Sequence, residues 1–382
     1  MIYKVLSKIA IVTATLLAGL GCQQTSEPGL TSSTDASSIT QIPTFRVDVD
    51  WPQVPSQWKL GHVSSIAIDA DDNAWILHRT HLLTGTDAAL AAPAVLGFDP
   101  DGQFIDAWGG ETDNYDWPQR NHGIHIDYQG HVWLGGNNCP ARNEPGLEPI
   151  NDDQLLKFTL GGEFVMQIGE SNASGGNSDT QNLHGPADSF VHPPTNEIFV
   201  ADGYGNHRVI VFDAETGHFK RMWGAFGNVP VDKDDCPNLA FDSVAPGPGP
   251  DQFVVVHALR VSNDGLVYVA DRENRRLQIF TIEGQYVDQI IRPEEQFARN
   301  VALSPDSDQQ FLYIGGGDGI MVYSRETLEY LTTISGDGVI GYGHQIETDS
   351  RGNIYIAQNA RGFQRLLFTG MVSRDSGGVG RQ

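Results

Sequence analysis

Three stretches of the chain superpose without a gap: His122-Gly-Ile-His-Ile-Asp-Tyr-Gln-Gly130-His-Val-Trp133, His257-Ala-Leu-Arg-Val-Ser-Asn-Asp-Gly265-Leu-Val-Tyr268 and His344-Gln-Ile-Glu-Thr-Asp-Ser-Arg-Gly352-Asn-Ile-Tyr355. Each reads as an alternating strand, a tight turn rich in Asp, Asn and Gly, and a second strand bearing an aromatic. Three looser copies start at Ser64, Ala187 and Arg299, with their aromatics at Trp75, Phe199 and Tyr313. A third strand follows, as in Arg208 to Phe212 or Arg276 to Phe280, and then a fourth, as in Phe219 to Trp223 or Tyr286 to Ile290. Four short antiparallel strands, repeated six times, predict an all-β fold, a six-bladed β-propeller. The copies start 42 to 70 residues apart, and the excess is loop. An open array would expose strand edges, whereas a closed ring leaves few, so strand-like Phe45 to Val49 is expected to complete the last blade. A β-sandwich does not account for the regular repeat.

Around this core the 382 residues divide readily. Residues 1–22 read as an export signal: Lys4 and Lys8, an apolar run from Ile9 to Leu20, then Gly21-Cys22. The run is too short for a membrane-spanning helix. A Cys directly after a small residue at the cleavage point is similar to a bacterial lipoprotein signal, which would make Cys22 the lipidation site. Gly19 stands where that pattern usually has Leu. The expectation is an exported, membrane-anchored lipoprotein on the periplasmic or cell-surface side; an ordinary cleaved signal is the alternative. Residues 23–43 read as a flexible Ser/Thr-rich tether, 44–370 as the propeller, and 371–382 as a C-terminal tail. Net charge is −24, from 48 acidic and 24 basic residues, which disfavours nucleic acid and anionic lipid as partners. A monomer is expected. Cys139 and Cys236 face an oxidising compartment and either pair or remain thiols; neither has metal-ligand spacing.

At the first position of each copy stand Ser64, His122, Ala187, His257, Arg299 and His344. Histidine occupies blades two, four and six only. Alternate blades of a six-fold ring are about 120° apart, so these side chains would approach the axis as a trigonal set. Three neutral imidazoles with an open fourth position form the ligand set of a catalytic zinc site. A lone strand histidine is usually packed or exposed, and the chain has 12. The others fall out of this register: His62 and His184 precede it, and His125, His131, His192 and His207 bear no relation to it. They read as structural or exposed. Residues just after the second strand of a blade share a face with this ring. There the chain has Arg79, Arg272 and, in Asp202-Gly-Tyr204, a tyrosine. Taken singly these residues would be a rim salt bridge or a packed ring. Beside a metal, Tyr204 becomes a general base, since a cation or metal favours its phenolate, and Arg grips a carboxylate. A small acid with an α-hydroxyl fits such a site.

At these residues the sequence resembles the peptidyl-α-hydroxyglycine α-amidating lyase family, whose fold is an NHL-repeat six-bladed propeller. The resemblance covers roughly Trp51 to Phe368, most specifically Val63 to Arg79, Asn121 to Asp127, Val200 to Trp223, Val269 to Phe280 and Phe297 to Val301. It implies zinc (Zn2+) on His122, His257 and His344, with Tyr204, Arg79 and Arg272 catalytic. It also implies calcium (Ca2+) on the backbone carbonyls of Ile66 and Ile124 and on an Asp for which this chain has Gln345. The family's Met before the third His is Tyr342 here. Gly205, Tyr268 and His184 stand at some of its disulfide positions. The activity implied is cleavage of the C–N bond of a peptidyl- or N-acyl-α-hydroxyglycine, giving an amide and glyoxylate. A related metal lyase or hydrolase on another α-hydroxy acid derivative, or a non-catalytic binding module, are the alternatives.

Overall fold

Every sheet in the computed structural model is four-stranded, and consecutive strands pair antiparallel, so each sheet is a blade. Six such blades lie within the described residues, which are 39–374 without 233–235, 237–250, 293–296, 318 and 337. The inner strands are His62–Ile68, Asn121–Ile126, Pro186–His192, Val256–Val261, Asn300–Leu303 and Gln345–Thr348. Inner strands are buried along nearly their whole length, whereas outermost ones such as Phe104–Trp108 and Tyr286–Ile291 are largely open to solvent. The inner strands are covered on both faces, whereas the outermost ones meet solvent.

Ring closure shows in the packing between blades. One apolar cluster joins blades one and two around Trp75, Ile124 and Leu134. Others join two to three (Trp133, Val191), three to four (Val211, Val269), four to five (Tyr268, Ile314) and five to six (Tyr313, Ile346). The sixth joins blade six back to blade one through Tyr355, Ala357, Val63 and Ile66. Among the described residues, every blade packs an apolar face against each of its two neighbours.

The last blade is completed from the far end of the chain. Its outermost strand is Gln41–Val47, antiparallel to Phe363–Ser373 from Gln41↔Ser373 to Val47↔Leu366. The closing strand therefore begins before Phe45 and stops short of Val49, which is 84% exposed. Both domain limits shift accordingly: 41–43 are not tether and 371–373 are not tail, because each strand supplies the hydrogen-bond partners of the other. Ile42 is buried among Phe311, Tyr313 and Leu366, and the Phe45 ring packs on Tyr313 and Phe368. Residues 1–38, including the export signal and Cys22, and 375–382 of the tail lie outside the described residues.

Ile42 tests this closure. Ile42→Ala should lower the unfolding free energy by about 2–5 kcal/mol, the cost of truncating a core isoleucine, in denaturant titration. A change below about 0.5 kcal/mol, the range of an ordinary surface substitution, would place Gln41–Val47 outside the cooperative fold.

Candidate metal centre

The repeat position that carries the histidines coincides with a break in strand pairing. In blade one Val63 pairs with His78 and Ser65 with Leu77, which leaves Ser64 extra. Ala187 and His257 are extra residues in the same way in blades three and four. In blade two His122 and Gly123 lie between the Asn121–Gly136 and Ile124–Leu134 pairs. A bulge takes its residue out of the ladder and re-aims the side chain. Arg299 and His344 stand just before the inner strands of blades five and six.

His122, His257 and His344 meet here. A ring nitrogen of each lies within 4.8 Å of those of the other two, and the ring centroids are 4.6 to 5.0 Å apart. Each Nδ1 is hydrogen-bonded to a backbone carbonyl of the next blade: His122 to Ala187 at 2.7 Å, His257 to Arg299 at 2.5 Å and His344 to Ser64 at 2.6 Å. Even blades thus supply imidazoles and odd blades supply the carbonyls that hold them. A Cβ at Gly123 would lie 2.4 Å from the Ala187 oxygen, so a side chain there would block the contact. A carbonyl acceptor fixes the proton on Nδ1 and leaves the Nε2 lone pair free to ligate.

All three histidines are buried. Burial, first of all, holds their pKa values well below the usual 6.5. The other two histidines and Arg79 add to this at His122, Arg272 and His344 at His257, and Arg79 at His344. The imidazoles are therefore neutral at pH 7, the form that binds metal. His257 Nε2 is buried with no hydrogen-bond partner, a lone pair that a cation would satisfy. The donor set fits a divalent metal ion.

Tyr204 and Arg272 reach this centre from two loops built alike. Asp202 and Asp271 each end the second strand of a blade. Each accepts an Asn amide at 2.8 Å, from Asn206 or Asn274, and pairs with the Arg that opens the third strand, Arg208 at 2.8 Å or Arg276 at 2.7 Å. Their other oxygens take the backbone N–H of His184 and Val254. A buried carboxylate satisfied on all sides clamps the loop it starts. Beside Tyr204 the loop has no room for side chains: a Cβ at Gly203 would lie 2.3 Å from Val256 N, and one at Gly205 1.9 Å from His184 Cδ2.

Held in this way, the Tyr204 hydroxyl donates to His122 Nε2 at 2.9 Å and accepts from Arg272 Nη1 at 2.8 Å. Arg272 Nε donates to Glu273 at 2.5 Å. Burial opposes the Arg272 charge, but Tyr204 and Glu273 outweigh it and its pKa is raised. The Asp271-Arg272-Glu273 motif is thus both a local salt bridge and part of the centre. Arg79, the last residue of its strand, donates Nε to the carbonyl of Asn121 at 3.0 Å, directly before His122. Sequence reasoning had Glu273 only as a rim salt-bridge partner of Arg272, and missed Asn121 and the carbonyl ring. Glu273 was signalled only by its adjacency to Arg272, and the carbonyls carry no residue-type signal.

Three of the remaining histidines, His184, His125 and His192, serve the scaffold. His184 pairs with Asp153 at 2.6 Å, His125 accepts the N–H of Val191, and His192 bonds Thr195. Cys139 and Cys236 form a disulfide across 97 residues, which selects pairing from the two expectations.

The implied calcium position does not fit that ion. Gln345 Nε2 donates to Asp188 Oδ2 at 3.1 Å, so the amide presents an N–H there. Arg260, 3% exposed, donates to the same Asp188 oxygen at 2.8 Å and to Glu347 at 2.7 Å. Calcium takes six to eight oxygens, whereas this layer leaves one Asp188 oxygen without a hydrogen bond and already holds a guanidinium. Arg260→Met should therefore destabilise the fold by about 3–5 kcal/mol, the cost of stranding a buried charge, and Asp188→Asn in the same chain should recover part of it. Calcium chelation should leave the thermal midpoint of the wild type unmoved; a drop of several degrees would restore calcium to this layer.

An NHL-repeat family model matches residues 253–280, the first three strands of blade four. Over 309 residues the chain is 27% identical to peptidyl-glycine alpha-amidating monooxygenase A of Xenopus laevis, a match covering 77% of this chain and 29% of that protein. Over 162 residues it is 30% identical to a probable peptidyl-alpha-hydroxyglycine alpha-amidating lyase of Caenorhabditis elegans, covering 42% and 36%. NHL repeat-containing protein 3 of Mus musculus is 25% identical over 244 residues, covering 62% and 57%. The chain spans less than a third of the length of the monooxygenase it matches. The chain is a six-bladed NHL-repeat β-propeller homologous to the amidating monooxygenases and to the amidating lyase.

Proposed function

We propose that the chain is a zinc-dependent lyase that cleaves the C–N bond of a peptidyl- or N-acyl-α-hydroxyglycine, releasing an amide and glyoxylate. The observation that carries this reading is the contact of the Tyr204 hydroxyl with both His122 Nε2 and Arg272 Nη1. It supports Tyr204 as the proton acceptor beside the point where the histidines converge. Homology to the amidating lyase and monooxygenases supports the same chemistry.

Zinc held by His122, His257 and His344 would act as a Lewis acid and make a nearby hydroxyl easier to ionise. As the phenolate, Tyr204 takes the α-hydroxyl proton and returns it to the leaving amide nitrogen. The electron pair of that O–H bond becomes the second bond of the glyoxylate carbonyl, the C–N bond breaks, and the amide nitrogen leaves with the C–N pair and a proton. The reaction consumes neither oxidant nor water. Arg272 fixes the Tyr204 oxygen and stabilises negative charge on it, while Glu273 keeps Arg272 in place. Arg79 adds positive charge beside the histidines. The neutral histidines, buried at the end of the inner strands, keep the centre out of bulk water.

Tyr204→Phe removes one oxygen and retains the ring between its two glycines. Glyoxylate release from an N-acyl-α-hydroxyglycine should fall about 10²–10⁴-fold, the usual worth of a positioned acid or base, with metal content and thermal midpoint near wild type. Full activity in the metal-loaded variant would remove Tyr204 from the proton-transfer role. A zinc-loaded wild type that releases no glyoxylate would favour another α-hydroxy acid derivative or a binding module.

A further inference from the structure

The repeat position of blade five is Arg299, and its carbonyl is already committed to His257. Its side chain is a separate matter. The guanidinium lies over two aromatic rings, 4.6 Å from the centroid of Phe297 and 4.7 Å from that of Tyr342. Stacking of this kind fixes the plane of the cation while leaving its N–H edge available. Its Nε is buried with no hydrogen-bond partner, and among the described residues no carboxylate pairs with it. Burial, chiefly, lowers its pKa, and the neighbouring charge of Arg272 adds to this. The other cations of the centre are engaged: Arg272 by Glu273 and Tyr204, and Arg79 through Nε by the Asn121 carbonyl.

A half-buried guanidinium whose Nε has no partner and which faces no anion is costly unless a ligand supplies one. We propose that Arg299, held over the rings of Phe297 and Tyr342, is the substrate-binding residue that grips the carboxylate of an α-hydroxy acid at the centre. This inference rests on the lyase reading for the identity of the acid. The carboxylate would take the unpaired N–H groups, and its α-hydroxyl would then face Tyr204. The specificity it predicts is for free acids over their neutral amides.

Glycolate, the smallest α-hydroxy acid, and its neutral amide glycolamide are suitable calorimetric probes of the zinc-loaded full chain. Arg299→Met should weaken glycolate binding about 10- to 100-fold, the worth of a charge-assisted hydrogen bond, with glycolamide binding and zinc content unchanged. Arg299→Lys, which keeps the charge but not the planar fork, should fall between. Glycolate affinity within twofold of wild type in Arg299→Met, or no glycolate binding by the wild type, overturns the proposal. Glyoxylate release is read separately. If it is absent while glycolate binding depends on Arg299, the lyase reading fails and the carboxylate site stands. If Arg299→Met retains the wild-type KM for an N-acyl-α-hydroxyglycine, the lyase reading stands and the role of Arg299 fails.

Discussion

Three backbone carbonyls, those of Ser64, Ala187 and Arg299, hold three imidazoles in place, and the rest of the centre follows from that contact. Each carbonyl belongs to one blade and each imidazole to its neighbour, so the triad exists only if the ring is closed. The last blade of that ring is completed by the strand Gln41–Val47, more than 300 residues away in sequence from its partner. A hydrogen bond of this kind is worth about 1 kcal/mol to stability, but its larger effect is to select one tautomer and one ring orientation.

The distribution of charge follows a similar logic. The chain is strongly acidic, yet buried cations gather near the axis: Arg79, Arg272 and Arg260. Each reaches a carbonyl, carboxylate or hydroxyl in a place that excludes water. Burial, and after it the positive charge packed against them, keeps the histidines neutral, and the same charge attracts an anionic substrate. Arg260 works one layer away, where Asp188 and Glu347 face each other across the axis and a guanidinium neutralises both.

Much of this was legible in the sequence because hairpins fix spacing. Once His122, His257 and His344 were aligned on three copies of one hairpin, their arrival at a common level followed from the repeat. Tyr204 and Arg272 were found by counting forward from the same position. The bulges were not legible, since one extra residue in a strand looks like any other alternation. Nor could the carbonyl ring be read, because Ser64, Ala187 and Arg299 share no side-chain chemistry and contribute only their backbones. The closing strand was placed late because Gln41, Ile42 and Pro43 follow a polar stretch, and only pairing with Phe363–Ser373 shows Ile42 to be core. Loss of the charged residue at Gln345 was visible. Its replacement by the Arg260 network was not, as that required knowing which strands cross the axis from one another.

The most direct measurement is the metal content of the purified full chain after zinc loading and exhaustive dialysis, combined with zinc-edge X-ray absorption. The predicted result is one zinc per chain with histidine nitrogens at about 2.0–2.1 Å, and loss of that zinc in His257→Ala. A chain that retains no metal, or a His257→Ala variant that holds zinc as tightly as wild type, would contradict the assignment of the triad as a metal centre.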